Sequence, residues 1–215
     1  MKTTTTAKKV FEKYDGTHYL LYFNETEKQV PAQQESEEQP QTQYEYDTVI
    51  AECKEPTIEA FTEALAKAGH EDAEIGATDI MLRAVQAGLI EGNELELAHK
   101  LMKLLINQYD KSDSVNQFTF NGNPMWLDRE MRRTLRERLA REKAKGQETT
   151  RITYEEHTFT LPIADAEFML EELEDYATAC FDKTAEHTQN VADMRDVDEI
   201  LAYDFTTGYP PKLEF

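Results

Sequence analysis

Cys180 and His187 lie seven residues apart in the stretch YATACFDKTAEH, and they form the one thiol and imidazole combination in the chain that invites a catalytic reading. A cysteine nucleophile needs its base within about 3 Å. An α-helix rises about 1.5 Å per residue, so seven residues separate the two groups by roughly 10 Å along the axis. Thr184 sits between them, one turn from each, but a threonine hydroxyl is no relay for thiol activation. Both residues belong instead to a stripe at helical spacing: Met169, Leu170, Leu173, Tyr176, Ala177, Cys180, Phe181, Thr184, His187, Val191 and Met194. Free cysteine is among the most buried residue types, so core packing is the expectation for the pair.

A metal centre finds no better support. Lys183 and Thr184 precede His187 by one turn and Asn190 and Val191 follow it, and none is a usual zinc ligand. His18, His70, His99 and His157 are scattered singly through separate segments. Neither GxGxxG nor GxxxxGK[ST] occurs, which removes the usual phosphate-cradling signals. Carboxylates are too numerous for any two to stand apart as an acid and a base, since that division of labour needs environments that push two pKa values apart. No catalytic residue, cofactor or metal is expected.

A chain of 215 residues with two cysteines and 40% hydrophobic residues is long enough to bury a core and is not a disulfide-dense secreted scaffold. The opening MKTTTTAKKVFEKYDG lacks the apolar run of a signal peptide, and no stretch approaches about 18 uninterrupted apolar residues. A net charge of −20 repels phosphate backbones and anionic headgroups, so neither nucleic acid nor a membrane is expected as a partner.

The elements that must position these side chains follow from periodicity and turn chemistry. KKVFEKYDGTHYLLYF, residues 8 to 23, reads as a β-hairpin turning at Asp15-Gly16, a pair that tolerates positive φ. Residues 24 to 43, NETEKQVPAQQESEEQPQTQ, carry almost no apolar side chains and read as a flexible linker. Residues 44 to 53 read as a strand. A helix opens at Pro56-Thr57 and stops near Gly69, and two more amphipathic segments cover 73 to 88 and 94 to 109.

Further on, Phe118 and Phe120 precede a turn at Asn121-Gly122, and Asp128 caps a helix that ends at Gly146. TTRITYEEHTFTL, residues 149 to 161, reads as a second hairpin, followed by a long helix from Asp165 to about Arg195 and a short one near 196 to 202. The helix from Asp128 holds eight basic residues against four acidic ones, with Arg129, Arg132, Arg133 and Arg136 in a stripe. The long helix answers with Asp165, Glu167, Glu171, Glu172, Glu174, Asp175 and Asp182. Pairing across the two helices is expected, each exposed pair worth on the order of a few tenths of a kcal/mol. The tail YDFTTGYPPKLEF puts Tyr203, Phe205, Tyr209, Leu213 and Phe215 around Gly208, Pro210 and Pro211, which forbid a helix. It is expected to pack back onto the last helices.

From about Ser114 to Phe215 the chain resembles a phage- and prophage-associated domain of unknown function, number 4376 of that kind. The marks are Trp126-Leu127-Asp128, the spacing of Tyr176, Cys180, Thr184 and His187, and Tyr203-Asp204 with Gly208-Tyr209-Pro210. Similar proteins begin with an aromatic segment like KVFEKYDGTHYLLYF, and their genes often lie near tail and tail-fibre genes. The resemblance implies no catalytic residues. It implies a phage structural or assembly protein whose partners are tail or tail-fibre proteins, placed in the bacterial cytoplasm during assembly or in the virion.

The expected architecture is α+β and mainly helical: an N-terminal hairpin (1–23) on a flexible linker (24–43), a strand with a small helical unit (44–113), and a C-terminal module of helix, hairpin, long helix and docked tail (114–215). Two other functions stand beside the assembly role. One is an acidic DNA mimic that inhibits a host nucleic-acid-binding protein; the other is a cryptic thiol-dependent enzyme.

Overall fold

A computed structural model describes residues 2–30 and 41–215. The architecture is α+β: six helices and eight strands in small antiparallel sheets among the described residues. The chain forms two compact units, one drawn from Met1–Leu105 with Asp193–Tyr203, the other from Ile106–Ala192 with Asp204–Phe215. The second unit therefore starts before the expected boundary at Ser114, and residues 193–203 join the first.

In the first unit, β1 (Lys2–Thr5), β2 (Phe11–Lys13), β3 (His18–Val30) and β4 (Gln41–Glu52) form one sheet in the order β1-β4-β3-β2. The expected hairpin exists as β2 and β3, but its turn is made differently. Gly16 keeps a negative-φ backbone, and the Asp15 carboxylate instead accepts the Thr17 N–H at 2.8 Å and the His18 ring N–H at 2.8 Å. An Asx turn supplies locally what a left-handed glycine was expected to supply.

The expected linker is corrected at both ends. Residues 24–30 continue β3 and residues 41–43 begin β4, paired from Thr26↔Glu45 to Val30↔Gln41 after a bulge at which Asn24 takes φ +53°. Residues 31–40 lie outside the described residues. The ribbon forms without an apolar face because cross-strand polar partners serve in its place. Asn24 Nδ2 donates to Asp47 (3.0 Å), Gln29 Nε2 to Thr42 Oγ1 (3.0 Å), and Lys28 pairs with Glu45. Tyr46, only 1% exposed, ties the same region down, since its hydroxyl accepts the Lys9 N–H (2.9 Å) and donates to Glu25 (3.0 Å).

Three helices follow, α1 (Ile58–Lys67), α2 (Ala73–Gln86) and α3 (Glu94–Asp110), the last contributing to both units. Thr57 caps α1 by accepting the Ala60 N–H, and Gly69 ends it at φ +86°. Phe61 and Leu65 of α1, with Ala77 and Ile80 of α2, bury against Tyr19, Leu21, Phe23 and Ala51 of the sheet. Rings of Phe11, Tyr19 and Phe61 meet edge to face at 5.5–5.6 Å around Phe11.

The second unit holds β5 (Phe118–Phe120), β6 (Asn123–Met125), α4 (Arg129–Ala144), β7 (Thr149–Tyr154), β8 (His157–Pro162) and the 31-residue α5 (Ile163–Asp193); α6 (Val197–Leu201) belongs to the first. Asn121 and Gly122 both take positive φ, 48° and 77°, as a tight hairpin turn requires. Asp128 accepts the Met131 N–H at 2.7 Å to open α4, and Gly146 at φ +73° closes it while Gln147 N–H reaches Glu142 C=O. Leu135 and Leu139 of α4 pack with Ile152, Leu161, Met169, Leu170 and Leu173 in a single core.

The stripe on α5 is buried at Met169, Leu170, Leu173, Tyr176, Cys180, His187 and Val191. Phe181 is a correction: it is 70% exposed, because its position falls on the flank of the helix rather than under it. Met194 lies past the helix end, where its carbonyl accepts from His99 Nε2 at 3.1 Å.

Asp128→Ala removes the acceptor for Met131 N–H and is expected to cost about 1 kcal/mol in urea unfolding, whereas Asp128→Asn, which keeps a capping oxygen, is expected to lose little. Equal stability of the wild type and the alanine variant would contradict this role.

Candidate functional site

Four polar or polarisable side chains line one face of α5 at spacings of four, four and three: Tyr176, Cys180, Thr184 and His187. Such spacing keeps them on one side of the helix. What they face is the returning tail and the end of α3. The Tyr176 hydroxyl donates to Val115 C=O at 2.8 Å, and the Cys180 thiol, 4% exposed, lies within hydrogen-bond reach of that hydroxyl. Thr184 Oγ1 donates to Asp110 Oδ1 at 2.7 Å and is 3.0 Å from the Tyr209 hydroxyl. His187, 2% exposed, donates from Nε2 to Thr207 C=O at 2.9 Å, with its ring against Tyr209 (centroids 5.6 Å).

The electrostatics run against an activated thiol. Burial pushes the Cys180 thiol up, the Tyr176 hydroxyl pulls it partly back, and the Asp110 carboxylate pushes it up again. Burial likewise raises the phenols of Tyr176 and Tyr209. A reactive cysteine needs the opposite, a depressed pKa beside a cation or a helix N-terminus.

The other residues singled out from the sequence have separate places. Trp126 is half-buried between two apolar clusters, 6.3 Å from the Tyr176 ring, with the Arg132 guanidinium 5.7 Å over its face. Asp128 is the α4 cap. Asp204 is exposed and its carboxylate takes the Thr206 hydroxyl (2.6 Å) and N–H (2.9 Å). Those two bonds, with a smaller contribution from His187, hold its carboxyl below the usual value of 3.8. The turn's stabilisation is therefore complete above that value and is lost as pH falls through the lower folded one. Tyr203 belongs to the first unit, where its N–H donates to Ile200 C=O. Pro210 is half-buried beside Tyr209.

Gly208 takes φ +79°, and a Cβ there would come within 2.4 Å of Lys183 Cε. Beyond it the tail forms a parallel β-bridge, Glu214 opposite Thr119. Thr119 N–H donates to Leu213 C=O (2.9 Å), Phe215 N–H to Thr119 C=O (2.8 Å) and Asn121 N–H to Phe215 C=O (2.7 Å), a parallel addition to the free edge of β5. The Phe215 ring meets Phe118 edge to face at 5.9 Å. Docking of the tail is thus partly to helices, as expected, and partly to a sheet edge, which was not.

The basic stripe on α4 also resolves. Arg132 is a correction to the expected exposed pairing: it is 5% exposed, and its guanidinium donates to Leu127 C=O (2.7 Å) and Glu174 (3.1 Å). Lys143 meets Glu167 at 2.7 Å across the same helix pair, whereas Arg133 turns to Glu130 within α4. Asp110, Tyr109 and Val115 were missed by sequence reasoning, since their partners lie more than sixty residues away in the chain. Among the described residues no group of three or more His, Cys, Asp and Glu is placed to hold a metal ion, and no helix is long and apolar enough to cross a membrane.

Gly208→Ala forces an alanine into the left-handed region and displaces Lys183; a loss of roughly 1 kcal/mol is expected. Faster limited proteolysis between residues 204 and 212 should accompany it. Gly16→Ala is the control, because φ there is negative and nothing lies within 4 Å of the added carbon. Equal effects of the two substitutions would contradict the assigned geometry. The chain matches no family model, no curated protein and no solved structure.

Proposed function

We propose that this chain is a non-enzymatic phage or prophage structural or assembly protein, acting through protein contacts in or around the tail. The observation that carries the non-enzymatic part is how the α5 face is used. Tyr176, Thr184 and His187 each hold a backbone or side-chain partner from α3, its following loop or the tail, and Cys180 is sealed among them. A side chain committed to holding two segments together has no free geometry for attack on a substrate. The phage assignment, with tail or tail-fibre partners and a place in the bacterial cytoplasm during assembly or in the virion, draws on the residue likeness described above.

The thiol reading is tested by alkylation. In the folded protein at pH 8, iodoacetamide is expected to modify Cys180 at least about a hundredfold more slowly than in urea, because burial and the raised pKa both suppress the thiolate. Fast single-site modification of Cys180 in the native state would defeat the non-enzymatic reading. The assembly role is tested separately, by affinity purification of the tagged chain from induced or infected cells. Tail components are expected to co-purify; their absence, together with absence of the chain from virions, would remove the assembly reading.

A further inference from the structure

In the second unit a groove of about 540 Å³ runs between α4 and β7. Leu127, Met131 and Leu135 form one wall, and Ile152 and Tyr154 the other. Met131 is 49% exposed there, a large apolar side chain facing an open apolar trough. A space of this size suits one or two large side chains of a ligand.

The groove also follows an unpaired strand edge. Ile163 N–H donates to Glu148 C=O at 2.9 Å, and residues of an antiparallel ladder alternate between bonding inward and facing outward. In the register Thr150↔Leu161, Ile152↔Phe159 and Tyr154↔His157, the even-numbered residues therefore bond to β8, and Arg151 and Thr153 face away from it. The Arg138 guanidinium marks that direction, because its Nη2 donates to Arg151 C=O at 2.9 Å. One step further along the edge, at Thr153, no backbone partner is present among the described residues.

Charge gives the groove a sense. Glu155 stands at the hairpin tip and Arg138 on α4, while Glu130, also on the lining, is already bound by Arg133 at 2.6 Å. The same unit already shows a related mode of binding: residues 213–215 make three backbone bonds to the β5 edge through a parallel bridge and seat Leu213 and Phe215 on the core.

We propose that this groove accepts an extended peptide segment of a partner protein, added as a strand at Thr153 of β7, with an apolar side chain seated over Met131 and a basic residue beside Glu155. Backbone bonds at the edge supply part of the affinity and the trough selects the side chain. The Glu155 carboxylate, on a chain of net charge −20, favours and orients a basic segment. This holds whichever particle or process the protein serves.

Selection of a yeast-displayed random dodecapeptide library against the immobilised full chain tests it. Enriched peptides are expected to alternate apolar and polar residues with Lys or Arg toward one end. Binding of the leading synthetic peptide, read by fluorescence polarisation, is expected to fall at least about tenfold with Met131→Arg at unchanged circular dichroism. N-methylation of the peptide's alternate backbone amides should give a similar loss, and it tests strand bonding without touching the protein. No enriched sequence, undiminished binding to the variant, or indifference to N-methylation would overturn the proposal. So would a dimer in sedimentation that Met131→Arg abolishes, since the occupant would then be a second copy of this chain.

Discussion

The backbone pairing of residues 213–215 with the edge of β5 is the contact on which the second unit depends. β5 and β6 have three residues each, too short to hold a register in water by themselves. Yet Phe118 is fully buried and Phe120 nearly so, and both belong to the core shared with α4, β7, β8 and α5. Thr119 lies between them, and both its N–H and its C=O are taken by the tail. Without that third segment, two backbone groups would lack partners beside a core that excludes water, at a cost of about 1–3 kcal/mol each.

The polar face of α5 follows from the same constraint. A tail containing Gly208, Pro210 and Pro211 has no helix of its own, so its carbonyls need external donors. His187 supplies one to Thr207, and Tyr209 is held between Thr184, His187 and Tyr109. Lys212 adds bonds to Asp113 C=O and Gln117. Side chains that look like the makings of a catalytic centre in the sequence become, in three dimensions, the fastenings of an irregular segment. Buried polar groups that are all partnered specify one arrangement more sharply than an apolar seam would.

Local signals in the sequence carried the helices and turns. Thr57, Asp128 and Gly146 cap or stop helices where their side chains or backbone freedom predict, and Asn121-Gly122 turns as its chemistry demands. What could not be read locally was non-local. The polar ribbon of β3 and β4 is stabilised by partners more than ten residues apart, such as Gln29 with Thr42, and its composition alone resembles a linker. Burial of Arg132 depends on Glu174, Leu127 and Trp126 converging from different elements. Phe181 shows the limit of stripe counting: an apolar residue one position from the seam can still point into solvent. At Asp15-Gly16 the turn was legible and its mechanism was not, because a carboxylate with a nearby N–H competes with glycine for the same bend.

Amide hydrogen exchange of Thr119, Asn121 and Phe215 tests the central claim most directly, since these three N–H groups make the tail-to-β5 bonds. The account predicts protection comparable to that of core amides such as Ile152 and Leu173, lost together with them as the second unit unfolds. Exchange of the three at the rate of an open chain, while the core amides stay protected, would show that the unit stands without its tail and would contradict the account.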